Sequence, residues 1–116
     1  MANPVVHFEV LGKDAGALQA FYGQVFDWEL SPVMPTYAMV STGVEGGIAG
    51  GVGATPDGSE GHVTFYVEVD DLASALAQIE SAGGRTVQPP MDVPNGPSIA
   101  LFADPEGRVV GLVKSA

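Results

Sequence analysis

The strongest constraint on this chain is that one order of elements occurs twice. Each half reads strand, helix, then three short strands. A shift of 57 positions carries Phe8 onto Phe65, Val10 onto Val67, Asp14 onto Asp71 and Leu18 onto Ala75. A repeated order of this kind argues for a duplicated unit. It predicts an α+β fold of two βαβββ modules. Module one covers about residues 4–53, a linker covers 54–61, and module two covers about 62–114, all within one domain of 116 residues.

Hydrophobic periodicity places the elements. Val5 to Leu11 alternates, with Val6, Phe8 and Val10 on one face and His7, Glu9 and Leu11 on the other. Asp14 stands where a helix N-cap belongs, and Leu18, Phe21, Tyr22, Val25 and Phe26 form one helical stripe ending near Asp27. Strands are predicted at 28–33, 36–42 and 48–53. After the Gly- and Pro-containing linker, His62 to Val69 alternates again, with His62, Thr64, Tyr66 and Glu68 sharing a face. Asp71 caps a helix whose stripe is Leu72, Ala75, Leu76 and Ile79, and Gly83-Gly84 ends it. Strands follow at 85–88, 98–103 and 108–113, the last two joined by the turn Asp104-Pro105-Glu106-Gly107. The proline-rich stretch 88–97 is expected to be a long loop with the makings of a lid.

Composition excludes several classes. There is no cysteine, hence no disulfide, thiolate nucleophile or cysteine-bound zinc. Fourteen acids against four bases give a net charge of −10, so nucleic acid is not an expected partner. The same charge disfavours a strongly anionic substrate. No window reaches the roughly 20 apolar residues of a membrane span. The first residues carry no basic stretch and no apolar signal core, which predicts a cytoplasmic protein. The glycine pairs Gly46-Gly47 and Gly50-Gly51 lack the Lys-Ser/Thr ending of a phosphate loop.

Each helix must bury its stripe on the faces bearing Phe8/Val10 and Phe65/Val67. The Phe21 stripe is therefore expected in the core. The opposite faces then line a binding cup for a small organic molecule. Glu9 on a concave, partly apolar face suits a general base, and His7 suits an acid/base or a ligand. Tyr66 can stack and donate a hydrogen bond, with Glu68 nearer the strand end. Trp28, Tyr37 and Met39 can wall an aromatic site, although such residues also serve as core.

Val6-His7-Phe8-Glu9-Val10, Asp14, Phe21-Tyr22 and Val25-Phe26-Asp27-Trp28 resemble the opening of a vicinal oxygen chelate protein. Gly46-Gly47-Ile48, Tyr66-Val67-Glu68-Val69-Asp70-Asp71, Gly83-Gly84, Asp104-Pro105-Glu106-Gly107 and Gly111-Leu112 continue the resemblance over essentially the whole chain. This superfamily includes glyoxalase I, bleomycin-resistance proteins, fosfomycin-resistance enzymes and extradiol dioxygenases. The resemblance is greatest to small glyoxalase-like proteins without an assigned reaction. It implies two βαβββ modules forming curved mixed sheets around a central pocket, and a homodimer. It also implies that a divalent metal, where present, is held by residues of the first, fourth, fifth and eighth strands. Here those positions fall at His7, Gly50, Thr64 and Gly111, with His62 two residues before Thr64. One ligand of four survives, or two if His62 serves.

The expectation is a glyoxalase-like lyase or isomerase acting on a small carbonyl or aromatic compound through Glu9 and His7, with no cofactor. Trp28, Tyr37, Met39, Gly50, His62, Thr64, Tyr66, Glu68 and Gly111 would line the substrate site. A bleomycin-resistance-like protein that sequesters a drug or metabolite is the second reading. A metalloenzyme using His7, His62 and ligands borrowed across a dimer is the third.

Overall fold

The computed structural model describes residues 2–115. Its elements run β1 (Val5–Gly12), α1 (Ala15–Phe26), β2 (Glu29–Met34), β3 (Tyr37–Ser41), β4 (Gly50–Ala54), β5 (His62–Val69), α2 (Leu72–Ser81), β6 (Arg85–Asp92), β7 (Ser98–Ala103) and β8 (Val109–Lys114). The βαβββ order thus occurs twice, and the fold is α+β as the repeat predicts. The chain packs as two compact units, residues 7–64 and residues 2–6 with 65–115.

In the first unit the strands lie in the order β2-β3-β4-β1. β1 and β4 are parallel, with Phe8 beside Gly50, Glu9 beside Gly51 and Val10 beside Val52. β3 is antiparallel to both β2 and β4. One face carries Val10, Val40 and Val52, buried against Phe8, Leu18, Tyr22, Trp28 and Leu30. α1 starts where Asp14 accepts a hydrogen bond from the Ala17 amide at 2.9 Å, and ends on Asp27 in the left-handed conformation, φ 59°.

Only part of the α1 stripe reaches this core. Leu18 and Tyr22 pack, whereas Phe21, Val25 and Phe26 are more than half exposed. The expectation that the whole stripe is core is corrected. The apolar stripe spans a wider arc than the sheet covers, so its flank is left outside.

In the second unit the order is β5-β8-β7-β6, with β5 and β8 parallel and β7 antiparallel to both neighbours. Leu72 and Leu76 of α2 bury against Ala100 and Leu112, joined by Val67, Val69, Ala75, Ile79 and Phe102. Asp71 caps α2 by accepting from the Ser74 amide at 2.9 Å, and Gly83 leaves it at φ 106°. The apolar face of β5 divides: Val67 and Val69 pack, while Val63 and Phe65 stand exposed. A ten-residue helix covers only the C-terminal half of the strand, so the expected burial of Phe65 does not occur.

The 88–97 stretch is not one loop. β6 continues through Pro89 and Pro90 to Asp92, leaving only residues 93–97 as the connection. Prolines are tolerated because β6 ends the strand order and its register shifts between Gln88 and Met91. At the β7–β8 turn the Gly107 amide donates to the Asp104 carbonyl at 2.8 Å, as its sequence predicts.

Candidate functional site

The polar face of the first unit gathers four side chains. Alternation along β1 turns Glu9 away from the Phe8/Val10 core, and the register puts it beside Gly51. Glu9 is 8% exposed, unusual for a carboxylate, which must then find partners. It has them on both oxygens. The Tyr37 hydroxyl donates to Oε2 at 3.1 Å, and His62 Nε2 lies 3.2 Å from Oε1. His7 Nε2 lies 3.2 Å from the Tyr37 oxygen.

Proton counting orients this network. An ionised carboxylate only accepts, so both Tyr37 and His62 must donate to Glu9. Tyr37 has a single proton and gives it to Glu9. His7 must therefore donate from Nε2 to the Tyr37 oxygen, which sets the tautomer of its neutral ring. Burial holds the His7 pKa below the ordinary imidazole value, and the nearby Glu9 carboxylate offsets part of that effect. Neutral His7 is thus the form the site favours.

The sequence-derived candidates separate by unit and by face. His7, Glu9, Tyr37 and His62 come together through the bonds above. Met39 shares the polar face, beside Gly51, and is exposed. Thr64 is buried in the same unit. Gly50 faces the other way: a methyl there would run into the Phe8 ring. The expectation that it lines the cup is corrected, because the odd-numbered glycine Gly51 is the one level with Glu9. Trp28 also lies on the core side, stacked on Tyr22 at 5.6 Å and tilted against Phe8 at 5.2 Å. Tyr66, Glu68 and Gly111 belong to the second unit, where buried Tyr66 pairs with Gly111.

Gly51 was not among the candidates. The sequence signal was a strand with three glycines in five residues, since glycine within a strand often marks close approach by another group.

The metal expected in some relatives does not fit these donors. Among the described residues, no three His, Cys, Asp or Glu side chains gather as ligands. The fourth- and eighth-strand positions are Gly50 and Gly111, and the fifth-strand position is Thr64. Catalytic metal centres usually take three protein ligands.

The profile of the Glyoxalase/Bleomycin resistance protein/Dioxygenase superfamily matches residues 5–112. The chain belongs to this superfamily. Its β1 and β5 carry the two equivalent positions that the internal repeat relates, Glu9 and Tyr66, and both are buried. Among curated relatives, the Mycobacterium tuberculosis protein CFP32, named as a glyoxylase, is 32% identical over 59 residues, covering 51% of this chain and 23% of that one. The anthracycline biosynthesis protein DnrV of Streptomyces peucetius is 37% identical over 49 residues, covering 42% of this chain and 18% of its own. The matches therefore span less than a quarter of the length of these relatives. A solved methylmalonyl-CoA epimerase from Mycobacterium tuberculosis has a TM-score of 0.71 at 16% identity, covering 97% of this chain and 87% of that one. The Streptomyces coelicolor methylmalonyl-CoA epimerase, solved with 2-nitronate-propionyl-CoA, has a TM-score of 0.71 at 19% identity, covering 100% and 96%. At these identities the solved structures establish the shared fold.

Proposed function

We propose that this superfamily member is an isomerase- or lyase-type acid/base enzyme acting on a small carbonyl compound. The observation that carries the reading is the Glu9 carboxylate, buried on the polar face with a phenol on one oxygen and an imidazole on the other. A held carboxylate of this kind can take a proton from a carbon next to a carbonyl, leaving an enolate, and return it to the same or a neighbouring atom. Tyr37 and His62 aim the carboxylate. The His62 side chain is 30% exposed against 11% for that of Glu9, so the imidazole is open to water where the carboxylate is not. The fold shared with epimerases supports the isomerase direction.

The test is solvent-deuterium incorporation into a panel of small α-protonated ketones, aldehydes and esters. Glu9→Gln should reduce exchange by about 10²–10⁴-fold, the usual contribution of a positioned base. Equal exchange by the two proteins would remove Glu9 from the chemistry.

The second reading is a sequestering protein for an aromatic metabolite. It draws support from the relative named for anthracycline biosynthesis. In that case Glu9→Gln leaves affinity within about tenfold and no ligand is transformed. On either reading we propose a cytoplasmic homodimer in which both units form one domain. No helix among the described residues is long and apolar enough to cross a membrane. Sedimentation at micromolar concentration tests the dimer.

A further inference from the structure

β4 has three glycines among its five residues, Gly50, Gly51 and Gly53. Glycine gives up side-chain packing and backbone entropy in a strand, so such a run needs a reason. It is not a phosphate loop, since no helix follows it. On the polar face, one ring accounts for it. A methyl on Gly51 would overlap the Tyr37 hydroxyl and Cζ, and the three nearest atoms to that point all belong to Tyr37. A methyl on Gly53 would meet Tyr37 Cδ1 at 2.8 Å, as well as the Thr36 carbonyl.

The topology shows what this space is for. Tyr37 stands on β3 and Glu9 on β1, with β4 between them. Two strand spacings amount to about 10 Å, so the partners meet only if the ring lies across the middle strand. Tyr37 starts beside Gly53, and Glu9 is beside Gly51. The ring therefore passes over both glycines in a trough that no side chain fills, and delivers its hydroxyl to Glu9 and His7.

We infer that Gly51 is a positioning residue for the Glu9 site: its missing side chain is what lets Tyr37 cross β4 and join Glu9 to His7. This deepens the reading of Glu9 as the working base. It concerns geometry, however, and has readouts that need no substrate.

The chain has two histidines, so imidazole ¹⁵N spectra resolve each ring. In the native protein, neutral His7 should show the Nε2–H tautomer. Gly51→Ala and Tyr37→Phe should shift the His7 signals in the same direction, because each removes the hydroxyl from Nε2. In the deuterium-exchange assay, Gly51→Ala should lower kcat about tenfold, the equivalent of one lost hydrogen bond, with KM little changed. Rescue separates positioning from general strand damage. Gly51→Ala should lower Tm in the native background and leave it unchanged in a Tyr37→Ala background, where the methyl has no ring to meet. If Gly51→Ala alone does not fold, recovery of folding in the double variant supports the inference, and failure of both overturns it. It is also overturned if His7 signals stay at native positions in folded Gly51→Ala, or if the methyl lowers Tm equally in both backgrounds. Altered His7 signals without any measurable exchange activity would sink the enzyme reading and leave the positioning role standing.

Discussion

Tyr37 and Glu9 are hydrogen-bonded at 3.1 Å although a whole strand separates them. The bond is thus a tertiary contact, sensitive to the packing of three strands at once. Removing the phenol oxygen takes one hydrogen-bond donor away from a buried carboxylate. Tyr37→Phe should therefore destabilise by about 1–3 kcal/mol in urea denaturation, despite the small change in volume. In a double-mutant cycle with Glu9→Gln, a coupling energy below about 0.5 kcal/mol would contradict a direct partnership.

The lowered pKa of His7 makes stability depend on pH. The unfolded chain takes up a proton near pH 6.5, whereas the folded protein resists doing so until the pH is lower. Between those two points the unfolded state binds more protons, so stability rises with pH and falls on acidification below about 6.5. Measured by denaturant midpoints from pH 8 to 5, His7→Gln should flatten this part of the curve. An unchanged slope would mean that another group carries it.

Apolar residues of the two helices differ in consequence. Leu76 is 6% exposed in the α2 core, and Leu76→Ala should cost about 2–5 kcal/mol. Phe21 is 55% exposed on α1, and Phe21→Ser should change monomer stability by only about 0.5 kcal/mol. A large loss at Phe21 would show that the outer flank of α1 is covered in solution, and its concentration dependence would identify a second copy as the cover.

Charge should select among ligands. With 14 acids and four bases, the chain repels anions, and Lys13, the first unit's one basic residue besides its histidines, is paired with Glu60 at 3.0 Å. Acyl-CoA thioesters should bind weakly, and their binding should strengthen with added salt as repulsion is screened. Calorimetry at two ionic strengths decides this; tight, salt-weakened binding would point to a cationic surface instead.

The architecture was largely legible because it rests on periodicity. Alternation at Val5–Leu11 and His62–Val69, and caps at Asp14 and Asp71, are local signals, and the elements lie where those signals put them. Burial was less legible. Whether Phe21 or Phe65 is covered depends on how much sheet a helix spans, which periodicity does not contain. The strand through Pro89-Pro90 was missed because proline argues against strand locally, while an edge position permits it. At the site, placing His7 and Glu9 on one face required only counting by two. That Gly51 rather than Gly50 is level with Glu9 depends on the register between β1 and β4, a relation between distant segments.

Prolines in β6 and β2 bear on assembly. Each unit's strand order terminates in one of these strands, with Pro89-Pro90 in β6 and Pro32 in β2. Neither Pro89 nor Pro90 has an amide hydrogen, so the irregular stretch between Gln88 and Met91 offers no backbone donor at either position. An incoming strand would find a broken row of hydrogen-bonding groups there. Self-association by ladder extension is thereby discouraged at β6, and fibre growth is blunted from the same border. At this border, contact between copies falls to side chains, whose strength can be tuned by substitution without recruiting the backbone.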